Sequence, residues 1–167
     1  ELVKEGLIDV EDWIGMFLPE MEQTKKGRIS LLNLLCHNSG LIDYRPYYRE
    51  LYRYPLEERK DELRKLLVRE TEIAAPGRRV LYSDLGFMLL CRLVEAVSAC
   101  RLDQYLASRI YGPLGVANDL FFVDLTSSHR PARNYAATEL CPLRSRLLIG
   151  EVHDDNAWYA GGVDGRA

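Results

Sequence analysis

The run from Ser83 to Ser98, SDLGFMLLCRLVEAVS, constrains the fold more than any other part of the chain. Leu85, Met88, Leu89, Leu93 and Val97 recur at three- and four-residue spacing and share one helical face. Phe87, Leu90 and Val94 widen that face. So broad an apolar stripe has to be covered on most of its circumference, which predicts a central helix with the rest of the chain packed around it. A turn at Ala75-Pro76-Gly77 and an extended piece over residues 79–82 lead into it. Ser83 or Asp84 can cap the helix by accepting backbone N–H bonds. The polar triplet Tyr82-Ser83-Asp84 is therefore either a plain helix start or the edge of a working site. From local sequence alone the cap is the simpler reading.

The remaining helical signal comes in shorter pieces. Leu2, Val3 and Leu7 continue an apolar face that Gly6 ends in a left-handed turn. Residues 9–17 are expected to form a short helix, entered through an acidic turn and broken at Leu18-Pro19-Glu20. Ser30 is placed to cap a helix apolar at Leu31, Leu32, Leu34 and Leu35, which stops at residues 38–40. Residues 44–54, rich in tyrosine and arginine, suit a surface helix or loop whose aromatic bodies cover the core while their hydroxyls stay wet. Residues 55–69 read as a longer helix with Pro55 in its first turn and Leu56, Leu63, Leu66 and Leu67 as its stripe. Asp61 and Lys65 are spaced to pair on its outer face. Another helix covers residues 102–110 and ends at Gly112-Pro113. Residues 126–150 show little periodicity and are expected to be irregular.

With 167 residues the chain is long enough for one domain with a core of its own. A formal charge of -3 leaves no broad basic field, so nucleic acid is not an expected partner. The basic residues from Arg144 to Arg146 read as a solvated face. No apolar run reaches the roughly 18 residues of a membrane span. Cys36, Cys91, Cys100 and Cys141 form no C-x-x-C pair, which argues against a zinc ribbon or a redox motif. Cys36 and Cys91 lie in apolar contexts and are expected in the core. His153-Asp154-Asp155-Asn156 puts a histidine beside two carboxylates and so raises a metal site. A polar loop tied by Asx turns is the preferred reading, and no metal is expected. His37 is expected to be a satisfied core or capping residue, and His129 has no evident partner.

Taken at greater length, APGRRVLYSDLGFMLLCRLVEAVS resembles the second active-site motif of the penicillin-recognising serine hydrolases. These are the class C beta-lactamases, D-alanyl-D-alanine carboxypeptidases and related esterases. Their motif runs Ala-Pro-Gly, a few residues, Tyr-Ser-Asn, then an apolar helix. Other stretches are similar to the same family in the same order. LVKEGLIDVEDWIGMFLPE resembles the segment after the nucleophile helix, and ISLLNLLCHNSGL resembles the helix ending in His-Thr-Ser-Gly-Leu. YLASRIYGPLGV resembles the Arg-Ile-Phe-x-Pro-Leu-Gly-Met element. GEVHDDNAWYAGGVDGRA resembles the Gly-Glu-Val-His-Asp stretch of one subgroup. The agreement covers essentially the whole chain.

The resemblance implies an α+β fold, the serine beta-lactamase/DD-peptidase-like fold, in which an antiparallel sheet is flanked by helices. This chain, residues 1–167, would be a single incomplete domain of it, mostly helical with few short strands. The family's chemistry uses a serine on a Ser-x-x-Lys turn as nucleophile, and a lysine and a tyrosine to handle the proton. A third motif, Lys-Thr-Gly or His-x-Gly, borders the substrate. No serine here has lysine three residues later, and no Lys-Thr-Gly occurs. His37-Asn38-Ser39-Gly40 comes too early in the order to be the third motif and reads as structural. The nucleophile is therefore expected upstream of Glu1 and the third motif beyond Ala167, and the chain alone is not expected to acylate.

By the same resemblance Tyr82 is the catalytic tyrosine and Asp84 binds substrate, while Asn156, Gly161 and Gly162 shape the cleft. A free tyrosine titrates near pH 10. Tyr82 needs neighbouring cations to act as a phenolate base, or it relays a proton while neutral. Two positions depart from the pattern: Asp84 replaces an asparagine and Arg166 a histidine. An ionised aspartate can only accept hydrogen bonds, so beta-lactam hydrolysis is the activity most affected. The implied function is opening of an amide or ester in a small-molecule or peptide substrate through an acyl-serine, as a peptidase, esterase or beta-lactamase-like enzyme, with no cofactor. The alternative is a catalytically inactive relative that binds a peptide or cell-wall fragment. Family relatives suggest a periplasmic or extracellular location, the free thiols leave a cytoplasmic one open, and nothing in the residues sets an oligomeric state.

Overall fold

Leu85, Met88, Leu89 and Leu93 are all buried, and they lie on one face of the helix Asp84–Ser98. The computed structural model describes residues 1–127 and 134–163. In chain order the α-helices are α1 (Leu31–Leu35), α2 (Tyr48–Leu51), α3 (Leu56–Arg69), α4 (Asp84–Ser98), α5 (Leu102–Leu106) and α6 (Asp155–Tyr159). Between α5 and α6 the strands β1 (Ala137–Cys141) and β2 (Arg146–Ile149) form an antiparallel hairpin. Short 3-10 turns at Ile14–Met16, Pro19–Met21 and Lys25–Arg28 precede α1. The mostly helical content with few short strands agrees with the sequence.

α4 begins where the Ser83 hydroxyl accepts the Gly86 N–H and ends at Ala99 in the left-handed region. Leu34 of α1, Leu51 of α2 and Leu63 and Leu67 of α3 close around it, joined by Ile14 and Met21 from the 3-10 turns and Leu18 between them. Each such side chain contributes about 1.5–3 kcal/mol by leaving water. A smaller cluster of Cys91, Leu102 and Val163 joins the far half of α4 to α5 and to the segment that follows α6.

Several expectations are corrected. Residues 9–17 do not form a helix. The Asp9 carboxylate accepts the Glu11 N–H and the Asp12 carboxylate accepts the Asp9 N–H. The backbone beyond then pairs with residues 29–32, Ile14 N–H donating to the Ile29 carbonyl at 2.9 Å. One 3-10 turn is all that remains. Asp61 pairs with Arg64 and Lys65 with Glu62, so the expected Asp61–Lys65 pair is replaced by two pairs at i, i+3. Cys36 is exposed, because α1 stops before it and turns it outward. Residues 137–149 form the hairpin where an irregular stretch was expected. Only Cys141 and Leu148 of its strands are buried, so no alternation marked it. Arg144 is not on a solvated face. Its side chain is buried, donating to the Val152 and His153 carbonyls and to Asp155, with the Trp158 ring 5.0 Å away. Of His153 to Asn156, His153 and Asp154 stay in a loop tied by the Asp154 carboxylate, which accepts the Ala157 N–H, while Asp155 and Asn156 open α6 rather than continuing the loop.

Candidate active site

Residues 37–43 run as a strap beside residues 73–84. The Gly40 carbonyl accepts the Ile73 N–H, the Asn38 carbonyl the Gly77 N–H and the His37 carbonyl the Leu81 N–H, each at 2.8 Å. Further along, the Ser83 hydroxyl donates to the Ile42 carbonyl at 2.7 Å and the Asp84 N–H to the Asp43 carbonyl at 2.9 Å. Gly40 makes this docking possible. Its φ is +81°, and a Cβ there would lie 2.1 Å from the Ala74 carbonyl oxygen. The His-Asn-Ser-Gly stretch thus holds the segment carrying Tyr82.

Ser83 and Asp84 are buried, at 1% and 5% exposure, whereas Tyr82 directly before them is 61% exposed. The Tyr82 ring lies against the imidazole of His37, with centroids 4.5 Å apart. His37 in turn stacks on Phe87 of α4 at 5.1 Å. Asp84 occupies the first turn of a 15-residue helix, where the positive end of the helix dipole favours a carboxylate.

Asn156 is fully buried. Its Oδ1 accepts the Tyr48 N–H at 2.9 Å and its Nδ2 donates to the Arg45 carbonyl at 2.8 Å. Residues 43–48 therefore connect the Asp84 backbone at one end to Asn156 at the other. Arg45 also clasps Glu70 with two guanidinium nitrogens, and the Tyr47 hydroxyl donates to the same carboxylate at 3.0 Å. Burial and the Glu70 charge push the Tyr47 phenol far above its ordinary range. Tyr47 is a neutral, structural donor.

Gly161 and Gly162 both have positive φ, and a Cβ on Gly162 would lie 2.1 Å from the Val123 carbonyl oxygen. Gly161 lines a cavity of about 330 Å³ with Lys60, Arg64, Arg92 and Arg101, and Gly162 lines another of about 350 Å³ with Phe121, Glu151 and His153. Tyr82 lines neither. The structure brings Tyr82, Ser83 and Asp84 together, joins them to Asn156 through residues 43–48, and places the two glycines where α6 meets residues 123–126. Arg166 lies outside the described residues, as does His129. Among the described residues, no group of three or more His, Cys, Asp or Glu side chains is placed to hold a metal, and no helix is long and apolar enough to cross a membrane. Sequence reasoning missed the direct contact of His37 with Tyr82 and the backbone role of Asp43. The nearest available signal was His37 directly before Asn-Ser-Gly at a helix end.

Tyr82 is thus a strap-held tyrosine at the N-terminus of a buried helix, reached from solvent. The chain belongs to the beta-lactamase family, whose model matches residues 1–165. It is similar to a Salmonella agona protein provisionally named a D-alanyl-D-alanine carboxypeptidase, 30% identical over 186 residues, with all of this chain and 43% of the relative covered. The chain thus spans under half the length of that relative. Among solved structures it is similar to a penicillin-binding protein from Bacillus halodurans (TM-score 0.68, 18% identity, 99% of this chain and 49% of the other). It is also similar to a D-stereospecific amidohydrolase from Streptomyces (TM-score 0.55, 28% identity, 68% of this chain and 37% of the other).

Proposed function

We propose that the chain supplies the proton-handling tyrosine of a serine hydrolase that opens an amide or ester through an acyl-serine. The observation that carries this reading is the contrast at Tyr82. The backbone next to it is buried and tied to the strap, while its own phenol is 61% exposed. A tyrosine kept for packing would resemble Tyr47, which is 6% exposed and donates inward.

In the proposed reaction a serine hydroxyl attacks the substrate carbonyl, and the Tyr82 oxygen takes the hydroxyl proton. Tyr82 then returns that proton to the leaving nitrogen or oxygen as the carbonyl carbon's bond to it breaks. Water reverses the sequence and frees the acid. Names of relatives support a peptide amide next to a D-residue as the substrate class. An ionised carboxylate at Asp84 would accept but not donate, which favours a substrate N–H or a lysine ammonium beside it over a substrate carbonyl. Asn156 would act in the cleft through the residues 45–48 that it holds, and Gly161 and Gly162 would allow close backbone approach.

The test is made on the full-length protein carrying this chain. Acylation by a fluorescent penicillin and D-alanine release from a D-alanyl-D-alanine peptide are compared between wild type and Tyr82→Phe. The variant is expected to lose about a hundredfold or more, the scale of a general acid–base group. Unchanged rates remove Tyr82 from the mechanism. A wild type that binds the peptide but never acylates establishes the inactive, binding relative instead.

A further inference from the structure

His37 is half-buried and makes ring contacts with both Tyr82 and Phe87. Its imidazole is 4.5 Å from the Tyr82 ring centroid and 5.1 Å from that of Phe87, tilted 40° to the first and 25° to the second. Its Nδ1 accepts the Ser83 N–H at 3.2 Å. An imidazole nitrogen that accepts carries no proton, so the ring hydrogen of neutral His37 sits on Nε2. The backbone is held as firmly as the ring. The His37 carbonyl accepts the Leu81 N–H at 2.8 Å, and the His37 N–H donates to the Leu34 carbonyl at 3.3 Å. Its φ is +55°, left-handed, a conformation that histidine and asparagine tolerate better than most side chains. Strained backbone of this kind persists only where its surroundings over-determine it, and it gathers at functional sites.

Tyr82 itself has little else to hold its side chain, being 61% exposed. The strap fixes where its backbone is. The direction of its ring is set by the ring it rests against at a 40° tilt, and that is His37, itself referenced to α4 through Phe87 and Ser83. We propose that His37 is a positioning residue for Tyr82, aiming the phenol by ring contact while its Nδ1 locks the imidazole to the start of α4. The catalytic consequence rests on the acid–base reading of Tyr82 given above. The ring contact does not.

Two substitutions separate the two jobs. His37→Asn keeps a short acceptor and a residue suited to positive φ but removes the ring. His37→Phe keeps a ring and removes the acceptor. In the full-length protein, labelled at histidine and tyrosine rings, wild type is expected to show cross-relaxation between the His37 and Tyr82 rings and an unprotonated Nδ1. His37→Asn is expected to shift the Tyr82 ring resonances and lower kcat by about tenfold or more, the effect of a misdirected reacting group, with KM within about twofold. His37→Phe is expected to retain more of kcat than His37→Asn. The proposal is overturned if His37→Asn leaves kcat and the Tyr82 resonances at wild-type values. It is also overturned if both variants lose kcat, KM and melting temperature together, which is the mark of a purely structural residue. Tyr82→Phe, measured alongside, distinguishes the failures. If that variant keeps full activity while His37→Asn still shifts the Tyr82 resonances, the acid–base reading fails and the positioning contact stands.

Discussion

Asn156 holds Tyr48 by its backbone: the Tyr48 N–H donates to Asn156 Oδ1 at 2.9 Å, across 108 positions of sequence. The other end of the same carboxamide donates to the Arg45 carbonyl at 2.8 Å. One buried side chain thereby satisfies two backbone groups of a loop that has no strand or long helix to do so, and that loop reaches Asp84 through Asp43.

Removing this clamp should be costly. Asn156→Leu leaves the Tyr48 N–H and the Arg45 C=O without partners, each at about 1–3 kcal/mol, so a loss of about 2–6 kcal/mol is expected in a urea titration. Asn156→Asp keeps the acceptor for Tyr48 but turns a carboxylate oxygen toward the Arg45 carbonyl. It should be at least as destabilising as the leucine, and a nearly neutral Asn156→Asp would show that the amide donor at Arg45 matters little.

Gly40 and Gly77 share a left-handed backbone, with φ of +81° and +77°, yet differ in surroundings. A Cβ on Gly40 would meet the Ala74 carbonyl oxygen at 2.1 Å, while one on Gly77 would meet nothing within 4 Å. Gly77→Ala should therefore cost only the backbone strain, about 1–3 kcal/mol. Gly40→Ala must also push the strap away from residues 73–84, so it should cost more and should loosen Tyr82. Amide exchange at Leu81 and Asp84, which donate to the strap, reads this directly. Equal protection in the two variants would contradict the argument.

The helices that were legible in the sequence are those with a broad apolar stripe. α3 and α4 fall within a residue of where periodicity places them, and Ser30 and Ser83 cap as expected. What escaped was decided by partners distant in sequence. Residues 9–17 carry helix-like spacing, but their backbone pairs with residues 29–32. The hairpin has apolar residues that stay exposed, such as Leu140 at 72%, so its strands lack the inside–outside rhythm that would betray them. Arg144 looks like any surface arginine until Glu151, Asp155 and Trp158 are seen around it. At the candidate site, the motif formed by its neighbours is what singles out Tyr82 in the sequence. His37 is expected only as a core or capping residue, because the left-handed turn that swings its ring onto Tyr82 leaves no mark in composition.

The cluster of Arg45, Tyr47 and Glu70 should make stability fall in acid. Burial alone would raise the Glu70 carboxyl, but hydrogen bonds from Arg45 and Tyr47 and the Arg45 charge outweigh it and hold it below its ordinary value. A carboxyl depressed on folding contributes stability that is fully present above the unfolded value, about 4.3, and is lost as pH falls through the lower folded one. Tyr47, raised on folding by burial and by Glu70, acts on the other side. Its contribution is intact below about pH 10 and is lost as pH rises beyond it. Glu70→Gln should flatten the acid limb of a plot of urea midpoint against pH and shift the alkaline limb. An unchanged acid limb would assign it to other carboxylates, with Glu151 beside Arg146 the next to test.

The second face of α4 sets how the 167-residue chain behaves by itself. Leu85, Met88, Leu89 and Leu93 point into the core, but Phe87, Leu90 and Val94 are only half-buried. With Leu2, Ile8, Val10 and Leu35 they line a groove of about 290 Å³ that is almost entirely apolar. Val3 and Leu35 on this groove are 50% and 47% exposed. A continuous apolar surface of this kind promotes association in water. The chain alone is therefore expected to sediment as a concentration-dependent mixture and to melt broadly. Leu35→Glu removes apolar surface where the side chain is already half in water, so it should raise the monomer fraction with little loss of stability. A sharp, cooperative melt of a wild-type monomer would show that the groove closes on itself. If Leu35→Glu associates as strongly as wild type, the contact surface lies elsewhere, and the exposed hairpin residues Leu140, Leu147 and Ile149 become the next to substitute.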